Sequence, residues 1–307
     1  MDGAVRHAGA MQLDPRRILI FRTVAREGSV SGGARVLGWT QPAVSQHIRL
    51  LEGEVGQALL LRSSTGVTLT EAGERLLRHA DGIAGLLGSA EAELASLAEG
   101  AGSVTIAAFP SALADFVPRS IAAARLAVPG LTARVIELEP PEAIDAVLAG
   151  DADVAVAFEY DELHDDVQLA RIELGPDPSR VVLPASHELA SGAPVDLAAL
   201  AGAEWVGGCE RCRSHLESLA TDAGFAPRIY FETDDFVAAQ SFVAATGSVT
   251  LLPDMALRVL TRDDVVVAPL ADGSGRTVSL RHRHGAERVP AVLTVLEAMQ
   301  RLWAEGR

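Results

Sequence analysis

The sequence predicts a mixed α/β chain in three parts: an N-terminal winged helix-turn-helix, a long linker helix, and an α/β unit of two subdomains. Three observations carry that prediction. The stretch SVSGGARVLGWTQPAVSQHIRLLE, from Ser29 to Glu52, reads as two short helices around a tight turn. Between residues 70 and 99 apolar side chains recur at alternating spacings of four and three, as in a coiled-coil seam. Beyond residue 103 strand-like apolar runs alternate with helical patterns, the order of an α/β domain.

Taken in order, Met1 to Ala10 lack the apolar core of a signal peptide. Residues 1–14 read as a disordered extension, with Met11 an alternative start. No apolar run reaches membrane-spanning length, so the expectation is a cytoplasmic protein without membrane contact. Pro15 to Arg26 forms a first helix with Ile18, Phe21, Val24 and Ala25 on one face. In the helix pair, Ser29 is placed to cap the first member, whose apolar side is Ala34, Val36 and Leu37. Gly38 stops it. Thr40 caps the second, and Pro42 suits its first turn. Val44, Ile48 and Leu51 face inward, which leaves Gln41, Ala43, Ser45, Gln46 and Arg49 outside. Gln and Arg side chains reach base edges in a major groove, Ser suits a phosphate, and Ala suits a thymine methyl. Ser31, on the first helix of the pair, joins this set. Two short strands within Ala58 to Leu69 then form a wing around Ser63–Gly66, with Arg62 directed at a phosphate or the minor groove.

Charge agrees with this division. All 26 basic residues are Arg, and the net charge is −15. Residues 16–70 carry a balance of +4, and the chain from Glu71 onward carries −18. Attraction to phosphate is therefore local and modest, and firm binding calls for two or more heads on one site.

The linker helix runs from Thr70 to Glu99, with Thr70 as cap and Leu76, Ala80, Ile83, Leu87, Ala90, Leu94 and Leu97 as the seam. A narrow stripe on a helix with no neighbour in sequence wants a partner chain. Gly82, Gly85 and Gly88 oppose it, each by roughly 1 kcal/mol relative to Ala. Gly100-Ala101-Gly102 is a hinge. Beyond it come a strand Val104–Phe109, a helix Ser111–Ala127, a strand Leu131–Leu138, a helix Pro141–Ala149 and a strand Asp153–Phe158. Acidic, Pro-rich segments lead to a strand at Arg180–Leu183 and a second alternating set, through helices at Arg211–Ala223 and Phe236–Ala245, to a closing helix Val289–Trp303.

The pieces Gln41-Pro42-Ala43-Val44-Ser45, Leu51-Glu52, the Gly56 turn, Arg62 and Leu69-Thr70-Glu71-Ala72-Gly73 together resemble the amino-terminal domain of LysR-type transcriptional regulators. The resemblance is dense over the first quarter of the chain and continues as domain order and hydropathy. Gly32 and Gly33 depart from it, standing where the family has better helix formers, as does Leu60, where Phe is common. It implies a winged head at 15–69, a linker helix at 70–99 that dimerises, and an effector-binding domain at 103–307. That domain resembles periplasmic binding proteins, with subdomain I at about 103–175 and 266–307 and subdomain II at about 176–265. The implied partners are double-stranded DNA with an inverted-repeat operator, a small-molecule effector, further copies of the chain up to a tetramer, and RNA polymerase.

In open α/β sheets ligands sit beyond the carboxyl ends of strands, where helix starts point amides into a crevice. This selects Pro110 and Ser111, Gly208 and Cys209, and Thr233 and Asp234, with Phe158 and Gly247 at comparable ends. Cys209 and Cys212 are the only cysteines and form a C-x-x-C-x-x-H run with His215. Beside Arg211 and Arg213 at a helix start, both thiols are expected to ionise easily. Structural thiols, a redox pair and a metal site completed by His164 or His187 all remain open. An acidic loop of Asp161, Glu162, His164, Asp165 and Asp166 reads as solvated, with a divalent ion as the alternative. No P-loop, G-x-S-x-G elbow or dinucleotide fingerprint occurs. An enzyme is disfavoured, no cofactor is expected, and a solute-binding module does not account for the head.

Overall fold

A computed structural model describes residues 13–63, 66–99, 102–160 and 168–306. Residues 1–12 of the expected N-terminal extension, the tip of the wing, the first two residues of the hinge and the acidic loop at 161–167 lie outside the described residues; the expected extension to residue 14 is too long, since the Asp14 side chain accepts from the Arg16 amide at 2.9 Å and caps the first helix. The chain forms two compact units, one drawn from its first 91 residues and the other mainly from residue 92 onward.

In the first unit, α1 (Pro15–Arg26), α2 (Val30–Leu37) and α3 (Gln41–Val55) precede β1 (Leu60–Ser63), β2 (Gly66–Leu69) and the start of α4 (Glu71–Glu99). The Ser29 hydroxyl accepts from the Gly32 amide at 3.0 Å and caps α2. Gly38 ends that helix in the left-handed region at φ 68°. Thr40 holds the cap position of α3 but makes no side-chain cap bond. Ile18, Phe21 and Val24 of α1 meet Val44, Ile48 and Leu51 of α3 in one buried cluster; each such side chain contributes about 1.5–3 kcal/mol on burial. Gly33 is explained by this packing, and Gly32 by its close approach to the Ser29 cap and Glu27. A Cβ on Gly33 would lie 2.7 Å from Val24 Cγ2 and 3.0 Å from Val24 Cα. Glycine there lets α2 press onto α1.

Two inward and outward assignments need correction. Val36 is 58% exposed, because the buried face of α2 runs through Val30, Ala34 and half-buried Leu37, and residue 36 lies on the opposite side. Ser45 is buried. It sits one turn before Ile48, on the shoulder of the apolar stripe, where its small side chain fits.

The Thr70 hydroxyl accepts from the Gly73 amide at 3.0 Å and caps α4, and the helix stays continuous through Gly82, Gly85 and Gly88. Its seam is divided. Leu76, Leu77, Ala80 and Ile83 pack into the core of the first unit. Leu86, Leu87 and Leu94 are 61%, 48% and 67% exposed, while the Leu97 side chain lies outside the described set. The first half of the stripe is thus satisfied within one chain, and the apolar side chains left exposed lie in the second half.

The second unit holds β3 (Ser103–Ala108), α5 (Pro110–Leu113), α6 (Phe116–Ala127), β4 (Thr132–Glu137), α7 (Pro140–Ala149), β5 (Val154–Glu159), β6 (Leu169–Pro184), β7 (Glu204–Gly207), α8 (Glu210–Asp222), β8 (Arg228–Glu232), α9 (Phe236–Thr246), β9 (Val249–Pro253), α10 (Asp254–Val259), β10 (Val265–Pro269), β11 (Gly275–Arg283) and α11 (Pro290–Glu305). Leu197–Leu200 is a 3-10 turn. Among the described residues the strands join in the order β4-β3-β5-β11-β6-β9-β7-β8, with β10 beside β6. The expected parallel βαβαβ arrangement is present, since β3 pairs in parallel with both β4 and β5.

Three elements differ from expectation. The helix expected at Ser111–Ala127 is two helices, because the ring of Pro118 clashes with a helical carbonyl four residues earlier, at Ala114. The strand expected at Arg180–Leu183 begins at Leu169 and runs for 16 residues. Helix α10 was not expected. The length of β6 matters most. Its first half pairs with β11, and its second half pairs with β9 and β10. One strand therefore passes through both lobes. At the crossing, a Cβ on Gly275 would lie 2.6 Å from Pro178 Cα, so β11 approaches β6 closely there. Helices α6 and α11 cover the first lobe, around Val117, Val154, Leu280 and Val295. Separate clusters around Trp205 and around Val206 fill the second.

Candidate functional site

The expected DNA-facing residues share α2, α3 and the wing. Gln41, Pro42, Gln46 and Arg49 are exposed along α3, Ala43 is half-buried, and Thr40 and Ser31 are exposed nearby. Their backs are the core residues Val44, Ile48 and Leu51, so the outward direction of Gln46 and Arg49 is fixed by the packing of the opposite face. Ser45 does not belong to that surface; its hydroxyl accepts a long, 3.4 Å hydrogen bond from Gln41 Nε2 within the helix. Arg62 lies on β1 opposite Val67.

In the second unit a cleft of ≈ 640 Å³, counting its open mouth, is lined by Pro110, Ser111, Phe158, Gly208, Cys209, Thr233 and Asp234. Seven of the eight expected effector residues therefore meet there. Gly247 does not: it is the left-handed C-cap of α9 at φ 79°, about 16 Å along the helix from the Phe236 end that faces the cleft. The lining also includes Glu139, Tyr160, Cys212, His215 and Arg276.

Arg276 is the side chain around which the cleft is built. It sits at the crossing of β11 with β6 and is 3% exposed. Its Nε donates to Asp177 Oδ2 at 2.9 Å, and its Nη2 donates to Ser111 Oγ at 2.8 Å. The guanidinium lies 4.6 Å from the Phe109 ring centre and 4.2 Å from that of Phe158. Asp177, equally buried, accepts the Met255 amide at 2.9 Å with its other oxygen. In the same lining, Glu139 Oε2 is buried without a hydrogen-bond partner. Burial and then the nearby Asp234 raise the pKa of Glu139.

The cysteines line the same cleft. Cys209 is the N-cap of α8, and its sulfur accepts from the Cys212 amide. The Cys209 thiol donates to Cys212 Sγ at 2.8 Å, and the Tyr160 hydroxyl donates to the same sulfur at 3.5 Å. The bond from Cys209 lowers the Cys212 thiol to about 7 against the effect of burial, with Tyr160 and Arg276 assisting. Cys209 is pushed up, first by that shared hydrogen bond and then by burial. The expectation of two readily ionised thiols is thus corrected to one, since the Cys209 S–H is donated to Cys212 Sγ and favours the thiolate at Cys212 only. His215 stacks on Tyr160 at 3.8 Å. His187 Nδ1 accepts the Leu189 amide in a turn, and His164 lies outside the described residues. Among the described residues no group of three or more His, Cys, Asp or Glu is placed to hold a metal ion.

Arg276 and Glu139 were absent from the sequence-based set. Nothing local marks them: the Arg276 partners Asp177 and Ser111 are far away in the chain, and Glu139 Oε2 has no partner. The alternating pattern of β11 was the only signal near Arg276.

Comparison with known proteins now bears on both units. The family described as LysR substrate binding domain matches residues 98–304, and that described as bacterial regulatory helix-turn-helix protein, lysR family, matches residues 15–74. The chain belongs to the LysR family. Its relatives include the nitrogen assimilation regulatory protein nac of Klebsiella aerogenes, 30% identical over 258 residues, with 80% of each chain covered. The HTH-type transcriptional regulator CfxR of Cupriavidus necator is 36% identical over 174 residues, which is 49% of this chain; the match spans only about half of CfxR, 55%. Full-length CbnR, solved in complex with its target DNA, has the same fold, with a TM-score of 0.54 and 22% identity over 95% of this LysR-family chain and 100% of CbnR. Among the described residues no helix is long and apolar enough to cross a membrane.

Proposed function

We propose that this LysR-family chain is a sequence-specific DNA-binding transcription regulator rather than an enzyme, and that a small molecule in the Arg276 cleft controls the geometry of its oligomer. The observation that carries the reading is the pairing of two surfaces in one chain. One is an α3 face that directs Gln41, Gln46 and Arg49 outward; the other is a preformed concave cleft lined by aromatic rings and a few convergent polar groups, as small-molecule sites are. Ser31, Thr40, Pro42, Ala43 and Arg62 support the DNA contact by positioning the backbone and reaching phosphate. Pro110, Ser111, Phe158, Gly208, Cys209, Thr233 and Asp234 contact the effector.

The exposed half of α4, with Leu87 and Leu94, pairs two chains, and two such pairs form a tetramer on an inverted repeat. Each head reads one half-site through the N-terminal part of α3, as recognition helices do. The working boundaries are 15–69 for the head, 70–99 for the linker and 103–307 for the effector domain. RNA polymerase is the protein partner through which occupancy becomes transcription.

The test is footprinting of the purified protein on its own upstream DNA and on sites selected from random sequence, with the wild type beside Arg49→Ala and Ser111→Trp. The expected result is protection of repeated half-sites that Arg49→Ala abolishes. Ser111→Trp, which fills the cleft, should keep the binding but freeze its footprint. A protein that selects no sequence would overturn the reading.

A further inference from the structure

The charges around the cleft are of both signs. The buried cation, Arg276, is already matched by Asp177 and holds Ser111 as well. The other nearby cation, Arg211, lies 5.6 Å from the Phe158 ring centre and donates a long, 3.4 Å bond to the Phe158 carbonyl, while its Nε is buried without a hydrogen-bond partner. Two carboxylates also line the cleft, half-buried Glu139 and exposed Asp234, and neither has a cation bonded to it among the described residues; Asp234 adds to the rise that burial gives the Glu139 pKa. Glu139 Oε2 is buried with no donor, and a buried acceptor left unpaired costs about 1–3 kcal/mol. Between the poles run the faces of Phe109, Phe158 and Tyr160, packed edge to face at 4.9 and 5.5 Å. Aromatic faces attract cations, and two of these, Phe109 and Phe158, already hold a guanidinium. Interior room is ≈ 60 Å³, so the ligand is compact.

We infer that the cleft accepts a small organic ammonium compound, its protonated amine seated between Glu139 and Asp234 and its carbon skeleton against the Phe158–Tyr160 wall. This rests on the proposal that the cleft is the effector site, and it names the ligand class. The amine supplies the donor that Glu139 lacks and neutralises the Glu139–Asp234 repulsion. A carboxylate in the same place would add a third negative charge. Arg276, which is spent on Asp177, positions Ser111 and the aromatic rings rather than carrying the ligand's charge.

The experiment measures thermal stabilisation and calorimetric affinity of the full chain with three near-isosteric probes: benzylamine, benzyl alcohol and benzoate. Benzylamine should bind more tightly than either of the others. Glu139→Gln and Asp234→Asn should each weaken it by about tenfold or more, the value of one charge-assisted hydrogen bond, while leaving benzyl alcohol unchanged. Glu139→Gln should melt with the wild type or above it, because it removes a half-buried carboxylate with no bonded cation, and Asp234→Asn, at an exposed position, should melt with the wild type. Benzoate binding more tightly than benzylamine, with loss in Ser111→Trp, would overturn the ammonium assignment and leave the cleft reading standing. Benzylamine binding unaffected by both acid variants places the amine elsewhere and also overturns the assignment. Failure of all three probes overturns it as well, and a footprint frozen by Ser111→Trp would then show the cleft reading intact.

Discussion

Replacing Arg276 with Met tests the architecture of the cleft most directly. The guanidinium and Asp177 are both 3% exposed, their ion pair is 2.9 Å, and the same side chain bonds Ser111 and covers two aromatic rings. Met restores much of the volume but none of the charge. Asp177 would remain buried with only the Met255 amide as a donor. Stranding one member of a buried pair costs about 3–5 kcal/mol, and the lost ring contacts add about 1 kcal/mol. The expected loss is therefore about 4–6 kcal/mol, read by urea denaturation followed by tryptophan fluorescence, with Trp205 fully buried in the same unit. The double variant Arg276→Met/Asp177→Asn should be more stable than Arg276→Met alone, because Asn keeps the bond to Met255 without a stranded charge. A loss under about 1 kcal/mol for Arg276→Met, or a double variant no better than the single, would refute the view that the buried Asp177–Arg276 pair holds the cleft together.

Other expectations follow from the same residues. Arg49→Ala and Gln46→Ala should each cost about 1–3 kcal/mol of operator discrimination in a mobility-shift titration, whereas Ser45→Ala, at a buried position, should leave affinity near wild type; equal losses in all three would show that the outward face has been misassigned. Leu87→Asp should halve the mass seen by light scattering or ultracentrifugation if the exposed half of α4 is the interface, and an unchanged mass would locate the contact elsewhere. Alkylation of the thiols by iodoacetamide should begin at Cys212. A thiol lowered to about 7 is mostly protonated and slow below that pH and mostly thiolate and fast above it, so the labelling rate should climb through neutrality. Tyr160→Phe removes a bond that favours the thiolate and should move the climb to higher pH; first labelling at Cys209 would contradict the direction of the shared hydrogen bond.

Much of the first unit was legible because its signals are local. Ser29, Gly38, Gly56 and Thr70 mark helix ends through their own chemistry, and Val44, Ile48 and Leu51 repeat within one helix. The errors there are positional. Ser45 is a polar residue small enough to be taken into the shoulder of an apolar stripe, and Val36 is an apolar residue left outside by two glycines that set the packing of α2. In the second unit the strand ends located the cleft loops, since a βα turn carries its own Pro, Ser or Thr. What they could not locate was Arg276, whose partners Asp177 and Ser111 are 99 and 165 residues away in the chain. Likewise the first half of β6, with Gly175, Pro176 and Pro178, has the composition of a loop and becomes a strand only because β11 lies beside it. Its ladder bonds are a tertiary fact.

That shared strand has a thermodynamic consequence. Each lobe's sheet is completed by a length of β6, and the two lengths are one uninterrupted run of 16 residues. Fraying the second lobe would release Arg180–Pro184 from β9 and β10 and loosen the register that β11 needs a few residues earlier. Separate hydrophobic clusters would ordinarily allow separate melting. Here they are threaded on one strand, so the effector-binding half should unfold as a single cooperative block, with the two lobes sharing one free energy of folding.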